Sequence, residues 1–196
     1  MKRIIVGTIA IVSSIASYAF SGSGAGTEKS PYLITSADEL FEVRSDLNAH
    51  YKLMNDIDLR SWLDENSPSQ GWAPIGTSSS PFNGVFDGNN KTIKNLNIQR
   101  VNSDNVGLFG YVQAACLKNV ILLNPNIVGR NNVAALVGNR TASTSYDESG
   151  LGQSTISNCY VTGGRVNGND CVGGLVGKNY GDGNGNSFII EACHNS

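Results

Sequence analysis

The sequence predicts an all-β protein, a right-handed parallel β-helix with one N-terminal amphipathic helix. A short motif occurs three times, as Gly107-Leu108-Phe109-Gly110, Ala135-Leu136-Val137-Gly138 and Gly174-Leu175-Val176-Gly177. From residue 82 onward, short apolar runs alternate with Gly and Asn, each of which supplies 23 of the 196 residues. Such repetition is typical of coiled repeat architectures, in which each repeat packs only on its neighbours. The right hand follows from the general handedness of parallel crossovers.

The spacing inside the repeat supports this prediction. Leu117 precedes Ile127 by ten residues, and Ile156 precedes Val166 by ten. Ile127 and Val166 each lie nine residues before the Leu of the following motif. Two copies that keep their spacing to the residue indicate a repeated structural unit rather than a chance likeness.

A second element supplies the bends. It occurs four times, at Ile93–Leu96, Leu117–Val120, Ile156–Cys159 and Ile190–Cys193. In the first three copies Asn95, Asn119 and Asn158 occupy one position, and Asn tolerates the left-handed backbone that a sharp bend requires. Stacked Asn side chains are also expected to bond to one another. The predicted structural residues of both elements are Gly107, Leu108, Gly110, Leu136, Gly138, Gly174, Leu175, Gly177, Asn95, Asn119 and Asn158.

The N-terminus predicts export. Lys2 and Arg3 precede an apolar stretch at Ile4–Ile15, and small residues lead up to Ala19. This pattern indicates a signal peptide over residues 1–19 rather than a membrane anchor, because the apolar run is shorter than the ~20 residues of a span. Residues 20–30, rich in Gly and Ser, are expected to be a flexible leader. We therefore expect a secreted or cell-surface protein.

One helix is predicted over residues 36–48. Ser36 and Glu39 form a capping box, and Leu40, Val43 and Leu47 recur at helical spacing. Tyr51–Leu59 then alternates with period two, which places Leu53, Ile57 and Leu59 on one face of a strand. We assign residues 31–81 to this N-terminal cap and residues 82–196 to the repeats.

The three Gly/Ala-Leu-x-Gly runs resemble the GLUG motif of bacterial secreted proteins. Trp72–Gly76 and Phe82–Gly88 resemble the lead-in of the same proteins, so the resemblance covers nearly all of the chain after residue 25. It implies a right-handed parallel β-helix and an adhesin-like role. Similar repeats also flank the catalytic domain of bacterial IgA-specific metallopeptidases, but the His-Glu-x-x-His motif of those enzymes is absent here. Ala134-Ala135 departs from the Gly-Gly that is usual in the motif.

The low His content and the small net charge limit the kinds of site that this chain can form. The chain has two His and a net charge of −2, with no basic cluster after residue 3. Zinc sites built on His pairs, most His-based acid–base catalysis and binding to nucleic acid are therefore not expected. No catalytic constellation is visible, so we predict no enzymatic activity and no cofactor.

Several residues admit two interpretations. Cys159 and Cys193 occupy equivalent repeat positions, either as small buried hydrophobes or as a disulfide between adjacent turns. Asp182–Asn186 resembles the start of a calcium loop but lacks the Gly of the sixth position and the Glu ligand of the twelfth, which favours a solvated loop.

The remaining candidates are interpreted structurally. Asp56 and Asp58 share one strand face, either as a cation site or, as we prefer, as a solvated surface. Trp62 and Trp72 are expected to cover an open end of the core rather than to form a sugar platform. His50 is expected at the surface.

We expect a binding or structural module of adhesin type, whose partners are host glycans or proteins. The alternatives are an accessory region of a larger secreted enzyme such as a metallopeptidase, or a carbohydrate-active β-helix enzyme. Binding is expected on two insert loops that follow Gly138 and Gly177, since loops on a rigid scaffold carry function. We also expect the chain to be truncated and to self-associate through an uncapped C-terminal edge. The candidate contact residues are Tyr146, Asp147, Glu148, Tyr180, Asp182, Asn184 and Asn186.

Overall fold

The computed structural model describes residues 20–141, 154–180 and 189–196, and the predicted signal peptide lies outside these ranges. The described chain is mostly β, and its paired strands run parallel. None of the described helices is long and apolar enough to cross a membrane. In chain order the helices and strands are β1 (Tyr32–Ile34), α1 (Ala37–Glu42), a 3-10 helix (Val43–Ser45), β2 (His50–Leu53), β3 (Ile57–Asp58), α2 (Arg60–Asn66), β4 (Val85–Asp87), β5 (Thr92–Lys94), β6 (Asn97–Gln99), β7 (Phe109–Gln113), β8 (Cys116–Lys118), β9 (Ile121–Leu123), β10 (Asn126–Val128), β11 (Asn131–Ala134), β12 (Val137–Thr141), β13 (Thr155–Ser157), β14 (Tyr160–Thr162), β15 (Arg165–Asn167), β16 (Asp170–Gly173), β17 (Val176–Tyr180), β18 (Ile189–Glu191) and β19 (His194–Asn195).

These strands form five sheets, in which neighbours in space are distant in sequence. Sheet A has the order β1-β2-β4-β8-β13-β18, sheet B β3-β5-β9-β14-β19, sheet C β6-β10-β15, sheet D β7-β12-β17 and sheet E β11-β16. From β8 the chain passes through β9, β10, β11 and β12, which belong to sheets B, C, E and D, and then returns to sheet A at β13. This circuit and the next one, from β13 to β17, each add one parallel strand to every sheet.

The predicted repeat register is confirmed for the later copies. Leu117 pairs with Ile156, Ile156 with Ile190, and Ile127 with Val166. Val137, the third residue of the second Gly/Ala-Leu-x-Gly run, pairs with the third residue of the runs on either side. The three Leu residues of these runs therefore stack in one row.

The predicted register of the first copy is wrong. Ile93 pairs with Leu122 in sheet B, whereas Leu117 pairs with Phe86 in sheet A. Asn95 therefore corresponds to Asn124, and Leu96 does not belong to the row of Cys159. Ile93-Lys94-Asn95 and Leu117-Lys118-Asn119 look alike because both run from a strand into a left-handed Asn bend, although the two bends lie in different sheets.

The core is a column of buried side chains inside the circuits. Leu108, Leu136, Leu117 and Ile156 are fully buried. Full burial of one such side chain stabilises a fold by about 1.5–3 kcal/mol. Leu175, the residue before β17, is only half-buried, because β17 is the edge strand of sheet D.

The N-terminal helix begins as predicted but is shorter. Ser36 accepts a hydrogen bond from the Glu39 amide, and the Glu39 carboxylate accepts one from the Ser36 amide, which completes the capping box. α1 ends at Glu42 and the 3-10 helix ends at Ser45, not at residue 48. The following backbone is drawn away by tertiary contacts: the Tyr51 hydroxyl donates to the Asp46 carbonyl over 2.7 Å, and the Asn83 amide donates to the Leu47 carbonyl.

A second helix, α2, was not predicted. Its N-cap, Leu59, makes no side-chain cap hydrogen bond, and Leu63 is its one fully buried residue. Neither a cap nor an apolar stripe therefore marks this helix in the sequence. The predicted strand Tyr51–Leu59 is instead two strands, β2 and β3, although Leu53, Ile57 and Leu59 are buried on one face as expected.

The segment predicted as a flexible leader makes defined contacts. The Phe20 ring lies 4.6 Å from the Tyr32 ring, centroid to centroid, and 5.9 Å from the Tyr51 ring. The Leu33 amide donates to the Ser23 carbonyl over 2.8 Å. Residues 20–30 therefore cover the outer edge of β1, and parallel pairing begins before residue 82, since β2 and β3 already pair with β4 and β5.

Candidate functional site

The two insert segments leave from neighbouring strands of sheet D. Thr141, at the end of β12, pairs with Tyr180, at the end of β17. The segments end on neighbouring strands of sheet A, where Thr155 pairs with Ile189. In the preceding circuit two residues, Ala114 and Ala115, make the same connection from β7 to β8. The inserts therefore start side by side and end side by side.

Of the predicted contact residues, only Tyr180 lies within the described ranges. Its side chain is 58% exposed, and the Lys178 ammonium lies 5.5 Å from the centroid of its ring. The other six lie outside the described residues: Tyr146, Asp147, Glu148, Asp182, Asn184 and Asn186.

A buried arginine connects the bases of both inserts. Arg140 has no exposed surface, and its Nε donates to the Ser154 hydroxyl over 2.9 Å. Its Nη2 donates to the Ser154 carbonyl and, over 3.5 Å, to the Ile189 carbonyl. The Ser154 hydroxyl in turn donates to the Ala115 carbonyl over 3.2 Å. One side chain thus joins the residue after the first insert to the residue after the second.

The Arg140 guanidinium remains charged in this position. Burial lowers its pKa to about 10, which leaves the group cationic at neutral pH. Hydrogen bonds from a charged donor to carbonyl and hydroxyl oxygens are stronger than neutral ones. Sequence reasoning did not single out Arg140, because one Arg at the end of an apolar strand carries no recognisable pattern.

The glycines of the motif allow close backbone approach. A Cβ atom on Gly138 would lie 2.5 Å from the Asn105 carbonyl carbon and from the Val106 amide nitrogen, and one on Gly177 would lie 2.6 Å from the Val133 amide nitrogen. Both distances are shorter than side-chain carbons tolerate, so these positions require Gly. Ala134 and Ala135, the departures from Gly-Gly, are both fully buried.

The predicted Asn bends are confirmed, with one row corrected. Asn95, Asn119 and Asn158 have φ of 57°, 56° and 51°, in the left-handed region. The side-chain nitrogen Asn158 Nδ2 donates to Asn119 Oδ1 over 3.4 Å, and Asn119 Nδ2 donates to Asp87 Oδ1 over 2.9 Å. Asn95 instead donates to Asp58 Oδ1 over 2.8 Å in another row.

The cysteines lie in the structure as free thiols. Cys159 is fully buried, and its backbone amide lies 3.4 Å from the Cys193 sulfur, so the two residues stack as the sequence predicts. Burial raises the pKa of the Cys159 thiol to about 12, which makes it a poor nucleophile.

The other candidates have structural partners. Asp56 accepts from the Thr92 amide, and Asp58 accepts from the Arg60 amide as well as from the Asn95 side chain. Trp72 is fully buried, with its ring centroid 5.7 Å from that of the half-buried Trp62. These rings pack between α1, α2 and the core.

His50 is half-buried on the outer face of β2. The described residues contain no group of three or more His, Cys, Asp and Glu that could hold a metal ion, and the Asp182–Asn186 segment lies outside them.

A polar groove that sequence reasoning missed lies where sheets B and C meet, beneath α2. It has a volume of about 520 Å³. The signal that marks it is an Asn-x-Asn pattern at Asn95-Leu96-Asn97 that returns at Asn124-Pro125-Asn126, 29 residues later. The same distance separates the paired residues Asn97 and Asn126. Its lining residues are Arg60, Leu63, Asp64, Asn95, Leu96, Asn97, Asn124 and Asn126.

Comparison with known proteins finds two relatives of this chain. No family model matches the chain. Halomucin of Haloquadratum walsbyi is 32% identical over 159 residues, which cover 79% of this chain and 2% of halomucin. A candidate Gly-rich membrane protein of Evansella cellulosilytica is 37% identical over 121 residues, which cover 61% of this chain and 14% of that protein. The chain therefore spans only a small part of either relative.

A solved structure shares the fold. The crystal structure of a candidate immunoglobulin A1 protease from Bacteroides ovatus superposes with a TM-score of 0.62 and 24% sequence identity. The match covers 88% of this chain and 49% of that one. The parallel, mostly β architecture is thus shared with about half of a larger chain.

Proposed function

We propose that the chain is a non-catalytic binding module of adhesin type, secreted or held at a bacterial cell surface. In this proposal the parallel sheets form a right-handed parallel β-helix of GLUG-type repeats. The scaffold holds the two insert segments next to one another for contact with a host glycan or protein. No cofactor takes part.

The observation that carries the proposal is the paired geometry of the insert bases. Two segments of 13 and 8 residues replace a two-residue turn on successive circuits. Thr141 pairs with Tyr180 where they leave, and Arg140 bonds to the residues where both return. A long loop costs little closure entropy, so length alone does not imply function. A buried guanidinium that bonds to the bases of both loops favours a functional role over neutral drift in loop length.

The relatives support an extracellular setting. One is named a halomucin and the other is described as a membrane protein. The export signal predicted at residues 1–19 agrees with that setting.

The experiment shortens both inserts without disturbing their bases. In one variant Gly replaces residues 142–153, so that Thr141, Gly and Ser154 reproduce the turn at Ala114 and Ala115. In the second, Gly-Ser replaces residues 181–188. A further variant replaces residues 142–153 and 181–188 with Gly/Ser segments of native length, which preserves the spacing but removes the side chains.

Binding to a glycan array and to epithelial cells is measured beside the far-ultraviolet circular dichroism spectrum. The proposal predicts that the shortened and Gly/Ser variants keep the β spectrum and lose binding. Unchanged binding in both variants, with an intact spectrum, contradicts it.

A second candidate function is an accessory region of a larger secreted peptidase. The observation that favours it is the match to about half of the candidate immunoglobulin A1 protease chain. This function predicts that the chain binds immobilised immunoglobulin A1 and does not cleave it. Absence of binding in biolayer interferometry, with glycan or cell binding retained, rejects it in favour of the adhesin.

A further inference from the structure

The polar groove beneath α2 arises from a change in the first circuit. After β5 and β9, a left-handed Asn, at 95 and 124, bends the chain into β6 and β10, with φ of 57° and 53°. After β3 the chain enters α2 instead of a sheet C strand. The helix therefore overhangs the bends of the next two circuits and closes one side of the groove.

The groove is lined by neutral amides from two successive bends. Asn126 Nδ2 donates to Asn97 Oδ1 over 2.9 Å, which also accepts from Gln99 over 3.1 Å. Asn95 is fixed by its bond to Asp58 and by a contact of 3.5 Å from Arg60. These bonds set the orientation of the amides before any ligand arrives.

Several polar atoms on this wall remain available to a ligand. Within the described ranges, no hydrogen bond uses the side-chain nitrogen of Asn97, the side-chain oxygen of Asn126 or the Asp64 carboxylate. Asp64 also forms no ion pair there with Arg60, which lies one helical turn away. The groove thus offers donors and acceptors in one place, beside the buried side chains of Leu63 and Leu96.

We propose that this groove binds a neutral oligosaccharide. A sugar hydroxyl both donates and accepts, and the Asn97 nitrogen, the Asn126 oxygen and the Asp64 carboxylate meet both needs. The volume of about 520 Å³ lies within the ~300–1,000 Å³ of small-molecule sites.

Other ligand classes fit this groove less well. A calcium ion takes six to eight oxygens and prefers several carboxylates, whereas Asp64 is the one carboxylate on this wall. Asp64 also repels an anion that Arg60 would attract. A peptide strand finds no free edge here, because the Trp72 amide donates to the Asn97 carbonyl over 2.8 Å and occupies the edge of β6.

This inference rests on the proposed binding function and names a ligand class for a surface separate from the inserts. The experiment observes the side-chain amide resonances of Asn95, Asn97, Asn124 and Asn126 in the ¹⁵N-labelled chain. Maltohexaose, cellohexaose, xylohexaose and mannohexaose are added to about 10 mM, above the millimolar dissociation constants of weak binding. A hyaluronan hexasaccharide serves as the anionic probe.

Saturable shifts of these amides with at least one neutral probe are expected. Asp64→Asn and Asn97→Ala each weaken that binding about tenfold or more, the loss of one charge-assisted or directional bond. Asp87→Asn, on the outer face of sheet A, is the matched control and leaves binding unchanged. The inference is overturned by absence of shifts with every neutral probe or by shifts with hyaluronan alone. It is also overturned if the Asp64→Asn and Asn97→Ala variants both bind as tightly as the parent chain.

The outcomes also separate the two proposals. If the chain binds glycans or cells while the resonances of the four Asn side chains stay unchanged, oligosaccharide binding at the groove is refuted and the proposed function stands. Absence of any binding, at the groove or on the array and cells, refutes both.

Discussion

Substitution of Arg140 by Met removes the link between the insert bases and retains most of the buried stem. Two hydrogen bonds to Ser154 are lost, along with a longer contact to the Ile189 carbonyl. Bonds from a charged donor contribute about 1.5–3 kcal/mol each, and part of that gain is offset by the cost of burying the charge. We expect the free energy of unfolding to fall by about 2–3 kcal/mol. For a chain of this size that corresponds to a melting temperature lower by roughly 5–10 °C.

The assay is urea unfolding followed by circular dichroism, combined with a double-mutant cycle. Ser154→Ala removes the hydroxyl partner alone, and the double variant with Arg140→Met measures how strongly the two side chains interact. A coupling energy of about 1–2 kcal/mol is expected for residues in direct contact. A coupling below about 0.5 kcal/mol, or an Arg140→Met variant as stable as the parent, refutes the idea that this guanidinium fixes the insert bases.

Three further predictions follow from the core, the bends and the exposed apolar residues. Burial raises the pKa of the Cys159 thiol to about 12, so the thiol stays protonated in the folded chain. In the unfolded chain the same thiol ionises above pH 9. Between pH 9 and 12 this group therefore lowers the free energy of unfolding by about 1.4 kcal/mol for each pH unit. Cys159→Val removes that part of the alkaline loss in urea titrations, and equal pH slopes in parent and variant would refute it. Asn119→Gly keeps the left-handed bend but loses amide bonds, costing about 1 kcal/mol, whereas Asn119→Ala adds left-handed strain for about 2–3 kcal/mol in all; equal losses in thermal melts would contradict the backbone argument. Val172 and Ile190 are 45% and 43% exposed, so light scattering should show concentration-dependent association that Val172→Lys with Ile190→Lys reduces, and a parent that stays monomeric at high concentration would oppose this.

The repeats were predictable because their physics is local. Leu108 and Leu136 are fully buried, and Gly138 and Gly177 allow close backbone approach, so residue identity alone marks their positions. Asn119 and Asn158 follow the same logic, since few other residues adopt φ near +55° without strain. Periodicity therefore located the circuits without any tertiary information.

The first circuit was harder to predict because tertiary contacts decide it. Asn95 was aligned with Asn119 by local likeness, yet pairing across sheet B aligns it with Asn124. α2 lacks both a cap and an apolar stripe, and it is held through Leu63 and Trp62 by the core it covers. The repeated Asn-x-Asn pattern marks one wall of the groove, whereas α2, which forms the other side, depends on tertiary packing.

Arg140 shows the same limit at the candidate site. Its partners, Ser154 and the Ile189 carbonyl, lie 14 and 49 residues away along the chain. Only the stacked register brings them within bonding distance. The sequence locates the insert loops, whereas the residue that fixes their bases emerges from the three-dimensional structure.

The central claim is that the two inserts leave the scaffold side by side, and disulfide trapping tests it most directly. Cys is placed at Thr141 and Tyr180 in a chain whose four native cysteines are replaced by Val or Ser. Paired parallel strands lie about 4.8 Å apart, within the Cα separation of about 4.4–6.8 Å that a disulfide spans. The control pairs Cys at Thr141 with Cys at Lys178, which is two residues out of register.

Under mild oxidation, peptide mass spectrometry is expected to find the bridge between positions 141 and 180 formed rapidly and nearly completely, with little bridging from 141 to 178. Equal trapping of both pairs, or preferential trapping of the 141–178 pair, would contradict the register and with it the paired presentation of the inserts.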